Sequence, residues 1–215
     1  MAAVGLLAAV TFCATGCSSD AGGGSGSDKI AGAGSAEGGS SSPSASASHP
    51  AEKNAPSFDL PSDLKIDVES KATGDATKDA ILRDAAYSAQ ANIEAFAQGE
   101  SQAVNLNRYF AGDALTYWVK QVADFKKSGL TLTGYYRYYD FKVTDVANGK
   151  TAAVSYCEDQ SKGFSKRVKT GKVLRTSPSD KSYVLYTLQA SKDQAGDWQV
   201  TRQSWKKGDA TCVQG

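Results

Sequence analysis

Apolar residues recur at helical spacing over the middle of the chain and then change period. Ile81, Leu82, Ala85, Ala89, Ile93 and Phe96 mark one face of a helix predicted from about Ala76 to Gln98, with Asp75 as N-cap and Gly99 as the residue that stops it. A short helical turn is predicted over Ser101 to Ala111. A further helix opens at Asp113 and stops at Gly129, with Leu115, Trp118, Val119, Val122 and Phe125 as its apolar stripe. From Leu130 to Val146 the residues alternate and are rich in Thr, Tyr and Val, which favours strand. The alternation slips from even positions (Leu130, Leu132) to odd ones (Tyr139, Phe141, Val143), so a bulge is expected near Gly134–Arg137. Asn148-Gly149 signals a tight turn, with Thr151 to Cys157 pairing behind it. Thr170-Gly171 marks another turn. Ser182 to Ser191 and Trp198 to Lys206 are two further strands. Helices first, then a run of antiparallel strands, predicts an α+β fold with N-terminal helices packed on one face of a curved sheet.

Composition divides the chain into three. Between residues 18 and 56, 27 of 39 residues are Ser, Gly or Ala and none is aromatic. Such a stretch buries too little apolar surface to offset its ordering entropy, and is expected to be a disordered tether. Residues 57–215 carry 19 of the chain's aromatics, enough for one real core. Ahead of the tether, Ala2 to Phe12 is apolar but shorter than the roughly 20 residues a spanning helix needs; it has the length of a signal-peptide core. No Lys or Arg precedes it, and the start codon is expected upstream.

That apolar run ends in Ala14-Thr15-Gly16-Cys17, which resembles a bacterial lipobox, with Ala14 where Leu is usual. The resemblance implies cleavage before Cys17 and lipid on its thiol. The expected address is therefore the extracytoplasmic face of the cell membrane, with residues 1–17 as signal peptide, 18–56 as tether and 57–215 as domain. A Gly/Ser-type coil of that length spans on the order of 35 Å.

The cysteines left in the domain are Cys157 and Cys212. An even pair in an exported domain reads as a disulfide, against two buried thiols or two metal ligands. No Cys-x-x-Cys and no nearby histidine supports zinc. Closing a loop of roughly 56 residues contributes about 4 kcal/mol in the chain-entropy model.

Two stretches, Thr133-Gly134-Tyr135-Tyr136-Arg137-Tyr138-Tyr139-Asp140 and Lys181-Ser182-Tyr183-Val184-Leu185-Tyr186, resemble a family of uncharacterised actinobacterial lipoproteins with a predicted nuclear transport factor 2-like domain. Thr151 to Asp159 fits the same picture. The resemblance implies a cone of helices wrapped by a bent sheet, and a superfold that hosts enzymes and binding modules alike.

The chemistry is bounded by what is present. Apolar residues make up 40%, charged residues 22%, and the net charge is +1, which gives no reason to expect a nucleic-acid partner. The one histidine, His49, lies in the tether, so imidazole catalysis in the domain is closed. No Gly-x-Ser-x-Gly elbow occurs, and Gly22-Gly23-Gly24 precedes no helix. No cofactor, metal site or catalytic residue is assigned. A carboxylate base beside a tyrosine donor stays open, with Asp124, Asp140 and Asp145 as carboxylates; alternation sends Asp140 toward Lys142, which leaves it a weak base. The candidate ligand-binding residues are Trp118, Tyr135, Arg137 and Tyr139, aromatics and a cation suited to a small apolar or glycan ligand at the cavity mouth; the competing reading is core and sheet cover. From Lys162 to Lys181 seven cations face one acid, either a solvated hairpin or a contact for lipid headgroups or wall polyanions. The expected function is a non-catalytic, lipid-anchored domain binding a small ligand, an envelope polymer or a protein partner. The alternative is an isomerase, hydratase or cyclase acting on a small substrate in the cone, and a third is a structural or regulatory module.

Overall fold

The computed structural model describes residues 54–213. The segment expected as a signal peptide, Cys17, His49 and all but residues 54–56 of the expected tether lie outside the described residues. Helix α1 runs Ala76–Gln98, α2 Val104–Tyr109, α3 Gly112–Lys127 and α4 Ala210–Val213; strands β1 to β6 run Leu64–Val68, Leu130–Ala147, Thr151–Arg167, Val173–Leu174, Tyr183–Lys192 and Trp198–Lys207.

The ends of α1 follow from local chemistry. The Asp75 carboxylate accepts from the Thr77 and Lys78 amides at 2.8 and 3.0 Å, and Gly99 takes a left-handed φ of 64° that side chains disfavour. Asn148 and Gly149 both sit at positive φ (54° and 62°) and close the β2–β3 hairpin, as such a dipeptide does. The sheet order is β1-β2-β3-β5-β6, with β4 pairing β3 off this path. The observed architecture is α+β, helices on a curved, unclosed sheet, as expected from the order of elements.

Three features differ from the expectation. Strand β1 pairs parallel with β2, Leu64 beside Gly134 through Val68 beside Tyr138, so the sheet is antiparallel except at this edge. Strand β3 continues ten residues past Cys157, to Arg167. The change of parity in β2 also falls later. An irregularity does lie between Tyr135 and Arg137, but there the extra residue belongs to β3, so β2 keeps its even positions (Leu132, Tyr136, Tyr138) inward. The first extra residue in β2 is at Asp140, at φ 55°, after which Phe141 and Val143 turn inward; a second lies between Val143 and Asp145, after which Val146 packs on the core.

The core lies between α1, α2 and α3 and the inner sheet face. Ile81, Leu106, Tyr109, Val122, Val154, Trp198 and Val200 are at most 1% exposed. Buried Asp84 of α1 accepts from the Trp198 backbone N–H and from Arg83 Nε, both at 2.9 Å, which fastens α1 to the start of β6. Among the described residues no helix is long and apolar enough to cross a membrane.

Candidate functional site

The inner sheet face brings a carboxylate and tyrosines together. The even positions of β3 point inward, Ala152, Val154 and Tyr156, and the next is Glu158, only 5% exposed. Tyr138 of β2, directly opposite in the ladder, donates to Glu158 Oε1 at 3.0 Å, and Tyr186 of β5 also bonds this carboxylate. Burial raises the Glu158 pKa; the two phenols oppose this without reversing it. Burial, then the nearby carboxylate, pushes Tyr138, Tyr156 and Tyr186 up as well. The rings pack in series: Phe141 on Tyr156 at 4.9 Å, Tyr156 on Tyr186 at 5.1 Å, both stacked, with Tyr138 edge-on to Tyr156 at 5.8 Å. Of the carboxylates weighed, Asp124, Asp140 and Asp145 are exposed, whereas Glu158 is buried beside tyrosine hydroxyls.

This interior is filled. Between Asn92, Trp118, Tyr138, Tyr156, Tyr186 and Gln203 the free volume is about 10 Å³, the scale of one water and far below a ligand pocket. Trp118 of α3 donates its indole N–H to Gln203 Oε1 of β6 at 2.9 Å. Gln203 Nε2 and Asn92 Nδ2 are buried without a hydrogen-bond partner.

Outside this closure the aromatic series continues to the surface. Trp118 stacks on Trp205 at 6.1 Å, and Trp205 meets Tyr117 at 5.3 Å. Trp205 and Tyr117 are 40% and 37% exposed, large apolar rings left on the surface where α3 crosses β6.

Four residues expected at one cavity mouth are not brought together. Trp118 faces the interior, whereas Tyr135, Arg137 and Tyr139 occupy the opposite, outer face of β2. There β1 supplies the partners: Tyr135 donates to Asp67 Oδ2 at 2.9 Å, and Arg137 grips Glu69, just past β1, at 2.5 and 3.0 Å. Arg137 also lies over the Tyr139 ring at 4.1 Å. Tyr139 is 4% exposed, packed on Cys157 and Cys212, with its hydroxyl donating to the Cys212 carbonyl. Tyr135 lines one outer depression of about 360 Å³ with Phe164 and Arg175, and Tyr139 another of about 370 Å³ with Glu69 and Asp140. Arg137 and Tyr139 are therefore engaged side chains of the sheet cover, a correction to their reading as a cavity mouth. Asp140 is exposed and pairs with Lys142 at 2.8 Å; the bulge puts it beside Tyr139 on the outer face, not beside Tyr138 as unbroken alternation would.

The disulfide is present: Cys157 and Cys212 are bonded, with Cα atoms 5.5 Å apart, and hold α4 against the outer face of the sheet. Among the described residues no three His, Cys, Asp or Glu side chains gather as a metal site.

The sequence reading missed Glu158, Tyr138, Tyr156, Tyr186, Gln203 and the exposed pair Tyr117 and Trp205. A signal for the first was available: Ala152, Val154 and Tyr156 form an apolar period-two run, and continuing it by one step puts Glu158 on the buried side.

No family model and no curated protein matches the chain. Among solved structures it is similar to the intermembrane space region of the chloroplast protein ARC6 (15% identity, 62% of this chain and 97% of that one, TM-score 0.45). It is similar to a ketosteroid isomerase-like protein from Erwinia carotovora atroseptica (18%, 56% and 90%, 0.36) and to a protein from Catenulispora acidiphila (8%, 63% and 96%, 0.42). Similarity at this level identifies no family and no chemistry.

Proposed function

We propose that this is an exported protein, held at the outer face of the cell membrane by lipid on Cys17, whose domain binds an envelope partner without catalysing a reaction. The binding face is the aromatic surface of Tyr117 and Trp205. The address is supported by the order of the apolar run, Gly16-Cys17 and the small-residue stretch. The single observation that carries the binding reading is the contrast across Trp118: behind it about 10 Å³ of free space, in front of it two exposed rings. Rings with polar neighbours suit an apolar side chain or the flat face of a sugar. A photo-crosslinking amino acid placed at Tyr117 in envelope-located protein should give a discrete adduct, while the same residue at Tyr135 should not. Adducts only from the Tyr135 position would move the binding face to the outer sheet.

A second reading is supported by Glu158 with Tyr138 and Tyr186. A buried carboxylic acid with a raised pKa beside phenol donors is equipped to move a proton on a small substrate, as an isomerase, hydratase or cyclase requires. It needs the Trp118–Gln203 closure to open and admit that substrate. The two readings separate on which side chain the biological role cannot spare, Trp205 or the Glu158 acid.

A further inference from the structure

We propose that the end of the domain where the β3–β4 hairpin meets the C-terminus of α3 docks on an anionic lipid bilayer. Arg167, Lys169 and Lys172 are exposed on the hairpin, and Lys126 and Lys127 are exposed in the last turn of α3. The two elements are fastened together: the Val168 N–H donates to the Gly129 carbonyl at 2.9 Å, and Arg167 pairs with Leu130 in the ladder. Among the described residues none of these five cations pairs with an acid, while Asp63 is held by Lys166 and Asp124 by Lys120. The positive charge of this end is therefore left for something outside the domain.

The nature of the occupant is read from Val168. It sits at the hairpin tip between Arg167 and Lys169 and is 65% exposed. Charge alone would blunt an exposed strand edge or hold a soluble polyanion, and neither gains from an apolar tip. At a bilayer both parts are used: the cations meet headgroup phosphates while the valine methyls enter the interfacial layer. The choice of a bilayer also rests on the reading of Cys17 as lipid-modified, which would hold the domain at a membrane. Each Lys or Arg near such a surface is worth about fivefold in partition.

The test uses the full chain carrying Cys17→Ser, so that no lipid is attached, with vesicles of phosphatidylcholine alone or mixed with phosphatidylglycerol. The expected result is binding at least roughly tenfold stronger to the anionic vesicles, weakened by salt. Arg167→Glu, Lys169→Glu and Lys172→Glu together should lower it by at least roughly 100-fold. Val168→Asp alone should lower it several-fold. Lys65→Glu, Lys78→Glu and Lys150→Glu, the same charge change at exposed positions elsewhere, should leave most of it, with both triple variants melting near the parent. Equal losses from the two triple variants, or equal binding to both vesicles, would overturn the proposal. So would full competition by soluble polyphosphate with Val168→Asp behaving as the parent, which would make this a polyanion site. Since the protein tested carries no lipid, the outcome does not depend on whether Cys17 is modified in the cell.

Discussion

The two faces of β2 have similar side chains and opposite fates. Tyr136 and Tyr138 point inward and are 5% and 3% exposed; Tyr135, Arg137 and Tyr139 point outward and are taken up by Asp67, Glu69 and the Cys212 carbonyl. Composition cannot tell the faces apart. What separates them is the neighbour each meets: β3 and β5 place Glu158 and two more tyrosines inside, whereas β1 and α4 cover the outside. A tyrosine-rich strand next to an arginine is thus no pointer to a binding mouth until its cross-strand partners are known.

The comparison is broken most forcefully from the inside. Tyr156 stacks with Phe141 and Tyr186 and touches Tyr138. Tyr156→Ala should cost about 3–5 kcal/mol in denaturant unfolding, whereas Tyr135→Ala on the other face should cost under about 1 kcal/mol. Similar losses from both would erase the distinction between the faces. On the outer side, Cys157→Ala with Cys212→Ala should destabilise by up to about 4 kcal/mol, because the bond closes a 55-residue separation, and should release α4. Hydrogen exchange that speeds up in α1 before α4 would contradict this.

Smaller changes sharpen the contrast. Tyr138→Phe removes one donor from a buried carboxylate and should cost about 1–3 kcal/mol; Tyr135→Phe removes an outer hydrogen bond and should cost about 1 kcal/mol or less. Glu158→Gln tests the sign of the electrostatics. The acid's pKa is raised in the fold above its ordinary 4.5, so folded protein holds the proton longer than unfolded chain. The stability this contributes is complete below pH 4.5 and is lost as pH rises through the raised value. Glu158→Gln cannot ionise, so its melting temperature should gain on the parent's as pH is raised from 4 to 8. A difference that stays constant over that range would mean Glu158 is not held in a charge-excluding site.

Much of the fold was legible because its signals are local. Asp75 and Gly99 bracket α1 within the helix's own sequence, Asn148-Gly149 states its turn, and two domain cysteines leave one pairing. Strand β1 was not legible, since Leu64–Val68 acquires meaning only by pairing some 70 residues away with β2. The bulge at Asp140 was placed too early because Tyr139 was counted with Phe141 and Val143 as inward, whereas it is buried on the outer face against Cys157 and Cys212. The candidate site was the least legible part. Glu158 is one acid in a strand, and its burial depends on Tyr138 and Tyr186 arriving from two other strands.

The central claim is that the interior is packed structure and that binding occurs at the surface beyond Trp118. The most direct measurement is complementation, in the producing cell, of a strain lacking this protein by Glu158→Gln and by Trp205→Ala, with both variants confirmed folded and present at parental levels in the membrane fraction. The account predicts that Glu158→Gln restores the parental phenotype and Trp205→Ala does not. Restoration by Trp205→Ala and failure of Glu158→Gln would contradict it and move the function to the Glu158 acid.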